Sequence, residues 1–487
     1  MHTLVGMTGS PCTLLILGAS GDLTSRLLLP SLGSLLTREP GRTVTVRGAG
    51  VEDWDASRWQ ETVRDAVGAP VDEGTVTVGD YTALDVTDPT EIGALVKTLS
   101  PRTVLYFALP PAVTRKAIDA LHGAELPDDV VLAMEKPFGD DAASARSLNE
   151  ALVALVPENR IFRVDHFLGR SMLLNLLGLR LANRMWDPVW SAEHIDSVLI
   201  RFDESLALEN RARYYDHAGA MIDMIQSHLL QVLGLMAMEP PATLGERDLR
   251  DAKAAALRAT HVWRNDPASA SFRARNTAGR VGDRDIPSNP DEEGVDPSLG
   301  TETLAEVVFE VANERWAGVP FVLRSGKALP TKRSEVVVTF RPVRHLPEGL
   351  RNAPRDGGRL TFALGPDRMT LGVHVTSGDE PFDLRQEDLV AELGQGQQRS
   401  YEEVLDELLD GDVTLSVRDD EAEECWRILQ PIRDAWAAGE VPLQEYAAGT
   451  DGPEGWPSSA GFAPRDTTAA ADAQTATETT RGGDTPA

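Results

Sequence analysis

The chain of 487 residues carries 47 Lys and Arg against 76 Asp and Glu, a net charge of −29. That length suits roughly two or three domains, and 42% hydrophobic with 25% charged residues is the balance of a soluble globular protein. The acidic excess argues against nucleic acid or a membrane surface as partner, because both are polyanionic. A small anionic substrate stays open, since it feels only the local field of a cleft. Two cysteines, Cys12 and Cys425, exclude a disulfide framework and a Cys-rich metal site, so no metal is expected. Residues 1–11 show no basic region followed by an apolar stretch, and no apolar run approaches the roughly 20 residues that span a bilayer. The expected compartment is the cytoplasm.

Along the first 140 residues short apolar runs alternate with helical spacing. Strands are expected at 12–17, 43–46, 75–78, 103–109 and 130–134, and helices at 22–36, 57–67, 89–99 and 113–121. This alternation reads as βαβ units on a parallel sheet, a Rossmann-like dinucleotide-binding domain over 11–165. Beyond it the character changes. Residues 175–183 and 220–238 are long apolar helical stretches, and 276–300 reads as a long loop rich in Gly, Asp, Pro and Asn. Strand patterns follow at 307–311, 321–324, 336–341, 359–364 and 370–375, then a helix over 401–436. The second domain, 166–458, is expected to be α+β, with a mostly antiparallel sheet and helices on one side. Residues 459–487 are Ala, Thr, Asp and Gly with almost no large apolar side chain, the composition of a disordered tail.

The first strand leads into Gly18-Ala19-Ser20-Gly21-Asp22-Leu23. Glycines let the backbone turn sharply beside an anion, and the following helix adds its N-terminal dipole. The full G-x-G-x-x-G spacing is absent, so an ordinary turn in which Asp22 caps the helix remains an equal reading of this motif alone. The end of the second strand, where Arg47 and Glu52 stand, should meet the adenosine ribose. An acid there favours NAD and an arginine NADP, so the preference between NADP and NAD stays open.

Further motifs carry a resemblance. EKPFG at 135–139, RVDHFLG at 163–169, QSHLLQ at 226–231, the TET of 301–303, WAGVPF at 316–321 and RSGK at 324–327 stand in order with GASGDL and with the ALPP of 108–111. The chain resembles the glucose-6-phosphate dehydrogenases from roughly residue 12 to residue 453. The resemblance implies oxidation of C1 of a sugar phosphate to 6-phosphogluconolactone, with hydride transfer to NAD(P), and a homodimer or homotetramer. It assigns the base to His228 and the orienting carboxylate to Asp165. Histidine has the right unperturbed pKa for the C1 hydroxyl proton, and a carboxylate fixes its tautomer. It places Lys136, His166, Arg170, Glu204, Asp223, Lys327 and Lys332 on the sugar phosphate. Cofactor contacts fall on Gly18, Ser20, Gly21, Asp22, Leu23, Arg26, Arg47, Glu52, Ala108, Pro110 and again Lys136. On an α-helix Asp223 and His228 are separated by about 140°, so they are expected to flank one pocket rather than share a face. Trp316 and the 336–341 strand are candidates for a dimer interface, with core packing an equal explanation.

Four departures from the family pattern stand out. The usual Lys-Glu pair after the HFLG segment is Arg170-Ser171, and the usual tyrosine is Phe167, without a hydroxyl for the phosphate. The usual arginine after the second strand is Val51, followed by Glu52, and the basic pair after the first turn is Ser25-Arg26. Two other readings follow: a dehydrogenase of another aldose, or a non-catalytic paralogue that binds an active partner. The retained His228 and Asp165 argue against the latter.

Overall fold

The computed structural model describes residues 11–165, 167–168, 171–209, 212–352, 357–364, 367–376, 380–393 and 400–460; His166, Gly169, Arg170 and the 461–487 tail lie outside them. The first sheet is wholly parallel and has six strands: β1 (Cys12–Leu17), β2 (Val44–Gly50), β3 (Val76–Ala83), β4 (Thr103–Phe107), β5 (Val131–Glu135) and β6 (Ile161–Val164). Their order is β3-β2-β1-β4-β5-β6, the doubly wound Rossmann order. Every residue of β1 is buried, as a central parallel strand covered on both faces requires. Helices join the strands, among them Ala56–Val67, Pro89–Val96, Pro111–Leu121 and Ala142–Val153. Crossovers of this kind put the turns after β1, β4, β5 and β6 on one edge of the sheet, where open α/β sheets bind ligands.

Among the described residues the second part holds a ten-stranded sheet and a separate two-stranded one. In chain order β7 is Ile195–Asp203, β8 Thr260–Val262, β9 Ser271–Thr277, β10 Gly279–Val281, β11 Arg284–Ile286, β12 Leu304–Val311 and β13 Phe321–Gly326. β14 is Arg333–Phe340, β15 Arg359–Leu364, β16 Asp367–Thr376, β17 Leu384–Glu392 and β18 Leu443–Ala447. The large sheet runs β17-β16-β15-β14-β7-β13-β12-β9-β18, with β8 on β12. It is mixed rather than purely antiparallel: β7 and β13 pair in parallel, as do β9 and β18. Alternate residues Val336, Val338, Leu360 and Phe362 are buried, and the helix Ser171–Ala182 packs on β15 and β16.

Four local expectations are corrected. The stretch 276–300 is not a plain loop, because β10 and β11 form a hairpin within it. The helix expected over 401–436 is two, Ser400–Asp410 and Asp419–Ala437, since Gly411 at φ 72° breaks the first. One stretch, Tyr215–Ala237, is long and apolar enough to cross a membrane, but 89% of its most apolar window is buried in this fold. Trp316 is fully buried, and its indole N–H donates to the Ala237 carbonyl at 2.8 Å. Trp316 is thus a core residue, while β14 buries only one of its faces and leaves the other half-buried. Trp316→Ala is therefore expected to cost about 3–5 kcal/mol of stability without changing the oligomeric state, measured by denaturant unfolding and sedimentation.

A later segment of the chain returns to the parallel sheet at β6. Arg163 forms an antiparallel bridge with Val417, and its fully buried guanidinium pairs with Glu158 at 2.7 Å. Glu158 also takes Arg250 at 3.0 Å. This clamp lies two residues before Asp165, at the end of the last parallel strand.

Candidate active site

The turn after β1 is shaped by a close approach. Gly18 has φ +84°, and a Cβ there would stand 2.3 Å from the Ala108 carbonyl oxygen. Its amide donates to the Ala49 carbonyl at 2.8 Å, while the Ala108 amide donates to Leu17 at 2.9 Å. The turn thus sits between the ends of β2 and β4, with no side chain at Gly18 or Gly21 to fill the cradle. A helix starts at Asp22 directly after it and is a π-helix over Thr24–Leu28, so the amides of its first turn point toward the glycine turn. Asp22 is not the cap; its exposed carboxylate faces Arg26 at 3.7 Å. These features fit a dinucleotide pyrophosphate.

At the ribose position, the hydroxyl of Ser20 donates to the Glu52 carboxylate. Arg47 is not brought to this turn. β2 continues to Gly50, which leaves Arg47 inside the strand, where it pairs with Asp80 of β3 at 2.6 Å and donates to the Thr98 carbonyl at 3.1 Å.

The histidine lies on the other part of the molecule. The helical run containing it breaks at Gly219, restarts, and is a π-helix over Met221–Leu229. In a π-helix residues five apart are bonded and lie over one another, so the 140° separation expected of Asp223 and His228 does not apply. Nδ1 of His228 meets Asp165 Oδ1, and the Phe167 amide donates to the same oxygen at 2.9 Å. The carboxylate only accepts, so Nδ1 carries the proton and Nε2 holds the lone pair. Burial pushes the His228 pKa down, Asp165 pulls it up and Lys136 lowers it further; the net direction is downward.

Two ion pairs complete the cluster. Lys136, immediately after β5, pairs with Asp223 at 3.1 Å. Lys327, at the end of β13, pairs with Glu204, at the end of β7, at 2.5 Å. Burial raises the Asp223 pKa, but Lys136 and Lys327 outweigh it and hold the carboxyl below its ordinary value. Asp22, Leu23, Arg26, Glu204 and Lys327 line one cleft of about 490 Å³, which joins the phosphate turn to the second sheet. A second cleft of about 510 Å³ runs past Pro110, Glu135 and Pro137.

The family model for the "Glucose-6-phosphate dehydrogenase, NAD binding domain" matches residues 15–175, and that for the "C-terminal domain" matches 177–460. The chain belongs to the glucose-6-phosphate dehydrogenase family. It is 35% identical over 482 residues to the glucose-6-phosphate 1-dehydrogenase of Mycolicibacterium smegmatis, covering 91% of this chain and 94% of that one. The Zymomonas mobilis enzyme is 33% identical over 475 residues, covering 92% and 97%. Among solved structures, the Mycobacterium avium enzyme superposes with a TM-score of 0.79 at 32% identity, covering 91% of this chain and 95% of that one. A glucose-6-phosphate dehydrogenase in complex with its substrate superposes at 0.80 and 28% identity, covering 92% and 96%. Like the rest of the family, this chain is an NAD(P)-dependent oxidoreductase acting on a sugar CH–OH group.

Lys332 is exposed just before β14, outside the ion pairs of the cluster. Four contributors at the site carry no signal of their own in the sequence: Tyr215, Glu135, Tyr106 and Tyr401. The ammonium of Lys327 lies 5.2 Å over the Tyr215 ring. Glu135, inside the EKPFG segment, accepts from Tyr106 at 2.5 Å and from Tyr401 at 3.2 Å. Burial raises the Glu135 pKa against those two hydrogen bonds. Tyr401 comes from 266 residues away, a distance at which no local pattern signals contact.

Glu52→Arg is expected to raise the NADP-to-NAD ratio of kcat/KM by at least about tenfold, roughly 1.4 kcal/mol. Steady-state kinetics with both cofactors checks this; an unchanged ratio would place Glu52 away from the ribose.

Proposed function

We propose that this chain oxidises C1 of glucose 6-phosphate to 6-phosphogluconolactone, with His228 as the base and Asp165 as its orienting carboxylate. The observation that carries the reading is the buried His228–Asp165 pair beside the Lys136–Asp223 pair. NAD or NADP, held at the Gly18 turn, supplies the hydride acceptor. Nε2 of His228 takes the C1 hydroxyl proton, and Asp165 steadies the imidazolium that forms. Glu204 and Asp223 accept hydrogen bonds from sugar hydroxyls, and Lys136 and Lys327 turn their remaining donors to the sugar. Each of these four is pre-oriented by its partner, which lowers the ordering cost of binding. His166, Arg170 and Lys332 are assigned to the phosphate on the family resemblance alone.

The same reading divides the chain into a dinucleotide-binding domain over 11–165 and a substrate and dimerisation domain over 166–458, and places it in the cytoplasm. Support for a homodimer comes from the outer strands of the large sheet, where Leu389 and Val390 of edge strand β17 are 59% and 52% exposed. Apolar side chains on an unpaired edge invite a second copy. Leu389→Glu is expected to shift the protein toward monomer in sedimentation; an unchanged mass would move the interface elsewhere.

The direct test is formation of reduced nicotinamide from glucose 6-phosphate with NAD and with NADP. His228→Asn is expected to lower kcat about 10²–10⁴-fold while glucose 6-phosphate still binds. Unchanged turnover would remove His228 as the base. A protonated base is inactive, and the His228 pKa is lowered, so the acid limb of kcat/KM is expected below about pH 6.5. An acid limb above that value contradicts the assignment.

A further inference from the structure

The helical run that carries Asp223 and His228 starts twice. It breaks at Gly219, where φ is 64° and ψ 177°, and restarts at Ala220. A restarted helix presents amides with no acceptor in their own segment. Here they are met from another part of the chain. The Met221 amide donates to Glu302 Oε1 at 3.0 Å, and the Ala220 amide donates to the Glu302 carbonyl at 3.3 Å. The carboxyl occupies the notch that the glycine leaves, since a Cβ on Gly219 would stand 2.3 Å from that same oxygen. Glu302 is 7% exposed, and burial raises its pKa to about 7 against the amides that lower it.

The next residue fastens the opposite wall of the pocket. The carbonyl of Thr303 accepts from the Lys327 amide at 2.8 Å. Its hydroxyl shares hydrogen bonds with Asn276 and, at 3.0 Å, with Tyr446. Tyr446 donates to the Lys327 carbonyl at 2.6 Å. Glu302 and Thr303 therefore stand between the segment bearing Asp223 and His228 and the backbone bearing Lys327.

We propose that Glu302 is a positioning residue for sugar binding, its carboxyl oxygen fixing where the Asp223–His228 segment restarts relative to Lys327. The inference rests on the sugar-phosphate reading given above. What the site needs from Glu302 is a hydrogen-bond acceptor at one place, and glutamine supplies that as well.

The test uses the full chain and compares Glu302→Ala, Glu302→Gln and Gly219→Ala with the unmodified protein. The readouts are kcat, KM for glucose 6-phosphate, KM for the cofactor and thermal unfolding. Glu302→Ala is expected to raise the sugar KM and lower kcat, each about tenfold, with the cofactor KM unchanged because the Gly18 turn belongs to the other sheet. Glu302→Gln is expected within about twofold of the unmodified protein. Gly219→Ala should match Glu302→Ala, because its Cβ displaces the carboxyl. The proposal falls if Glu302→Ala behaves as the unmodified protein, if Glu302→Gln is as impaired as Glu302→Ala, or if the sugar and cofactor KM rise together. Should Glu302→Ala not fold, Glu302→Asp decides: it withdraws the oxygen by one methylene and is expected to impair sugar binding, and unmodified kinetics would overturn the proposal. An unmodified chain without turnover of glucose 6-phosphate sinks the functional reading and this inference together. Normal turnover with an indifferent Glu302 sinks the inference alone.

Discussion

A neutral imidazole and a carboxylate facing each other away from water are the constraint on which the rest of this molecule depends. His228 is 1% exposed and Asp165 5%. A buried carboxylate is costly unless its oxygens are satisfied, and here the imidazole N–H and the Phe167 amide satisfy one of them. The two side chains come from different halves of the fold. Asp165 ends the last strand of the parallel sheet, and His228 rides on a helical segment packed against β7, β12 and β13. The Arg163 clamp matters for that reason: with Glu158 and Arg250 it fixes β6 against the C-terminal part of the chain, two residues from Asp165.

The same economy governs the cations. In a chain with net charge −29, unpartnered lysines would be expected to stand out as an anion trap. Lys136 and Lys327 instead each hold a carboxylate. An ammonium has three donors, so each lysine keeps capacity for a ligand after its carboxylate is met. The pairing spares both ions an uncompensated desolvation and leaves the site polar rather than strongly positive. Lys136 also donates to the Asp223 carbonyl, which anchors the end of β5 to the π-helical segment and joins the two halves of the fold a second time.

How much of this was legible depended on whether the signal was local. Strand-helix alternation gave the Rossmann-like part nearly element by element, because each buried parallel strand is its own apolar run. In the larger sheet β7 alternates in burial only over 197–202, and Asp196, Ser197 and Arg201 interrupt the apolar run that would mark it as a strand. The parallel pairings of β7 with β13 and β9 with β18 carry no local mark at all. At the site, motif residues were legible as a set and their geometry was not. The π-helix over Met221–Leu229 was invisible because periodicity arguments assume 3.6 residues per turn, and that assumption put Asp223 and His228 on different faces. Arg47 was misplaced by the length of its strand alone.

Phe167 shows why the departures from the family pattern can coexist with an intact centre. From sequence it was a lost hydroxyl at the phosphate end. In the structure its ring is 1% exposed, stacks on the His228 imidazole at 5.2 Å and 24°, and meets Phe202 edge-on at 5.4 Å. Phenylalanine at this position therefore supplies the apolar wall whose burial holds the imidazole neutral. Glu52 is the corresponding case at the other end: it is held by Ser20 at the edge of the phosphate turn, away from the His228–Asp165 pair. Phe167 packs on the imidazole and its amide holds Asp165, so a change there acts on the buried pair directly, whereas Glu52 shares no contact with that pair.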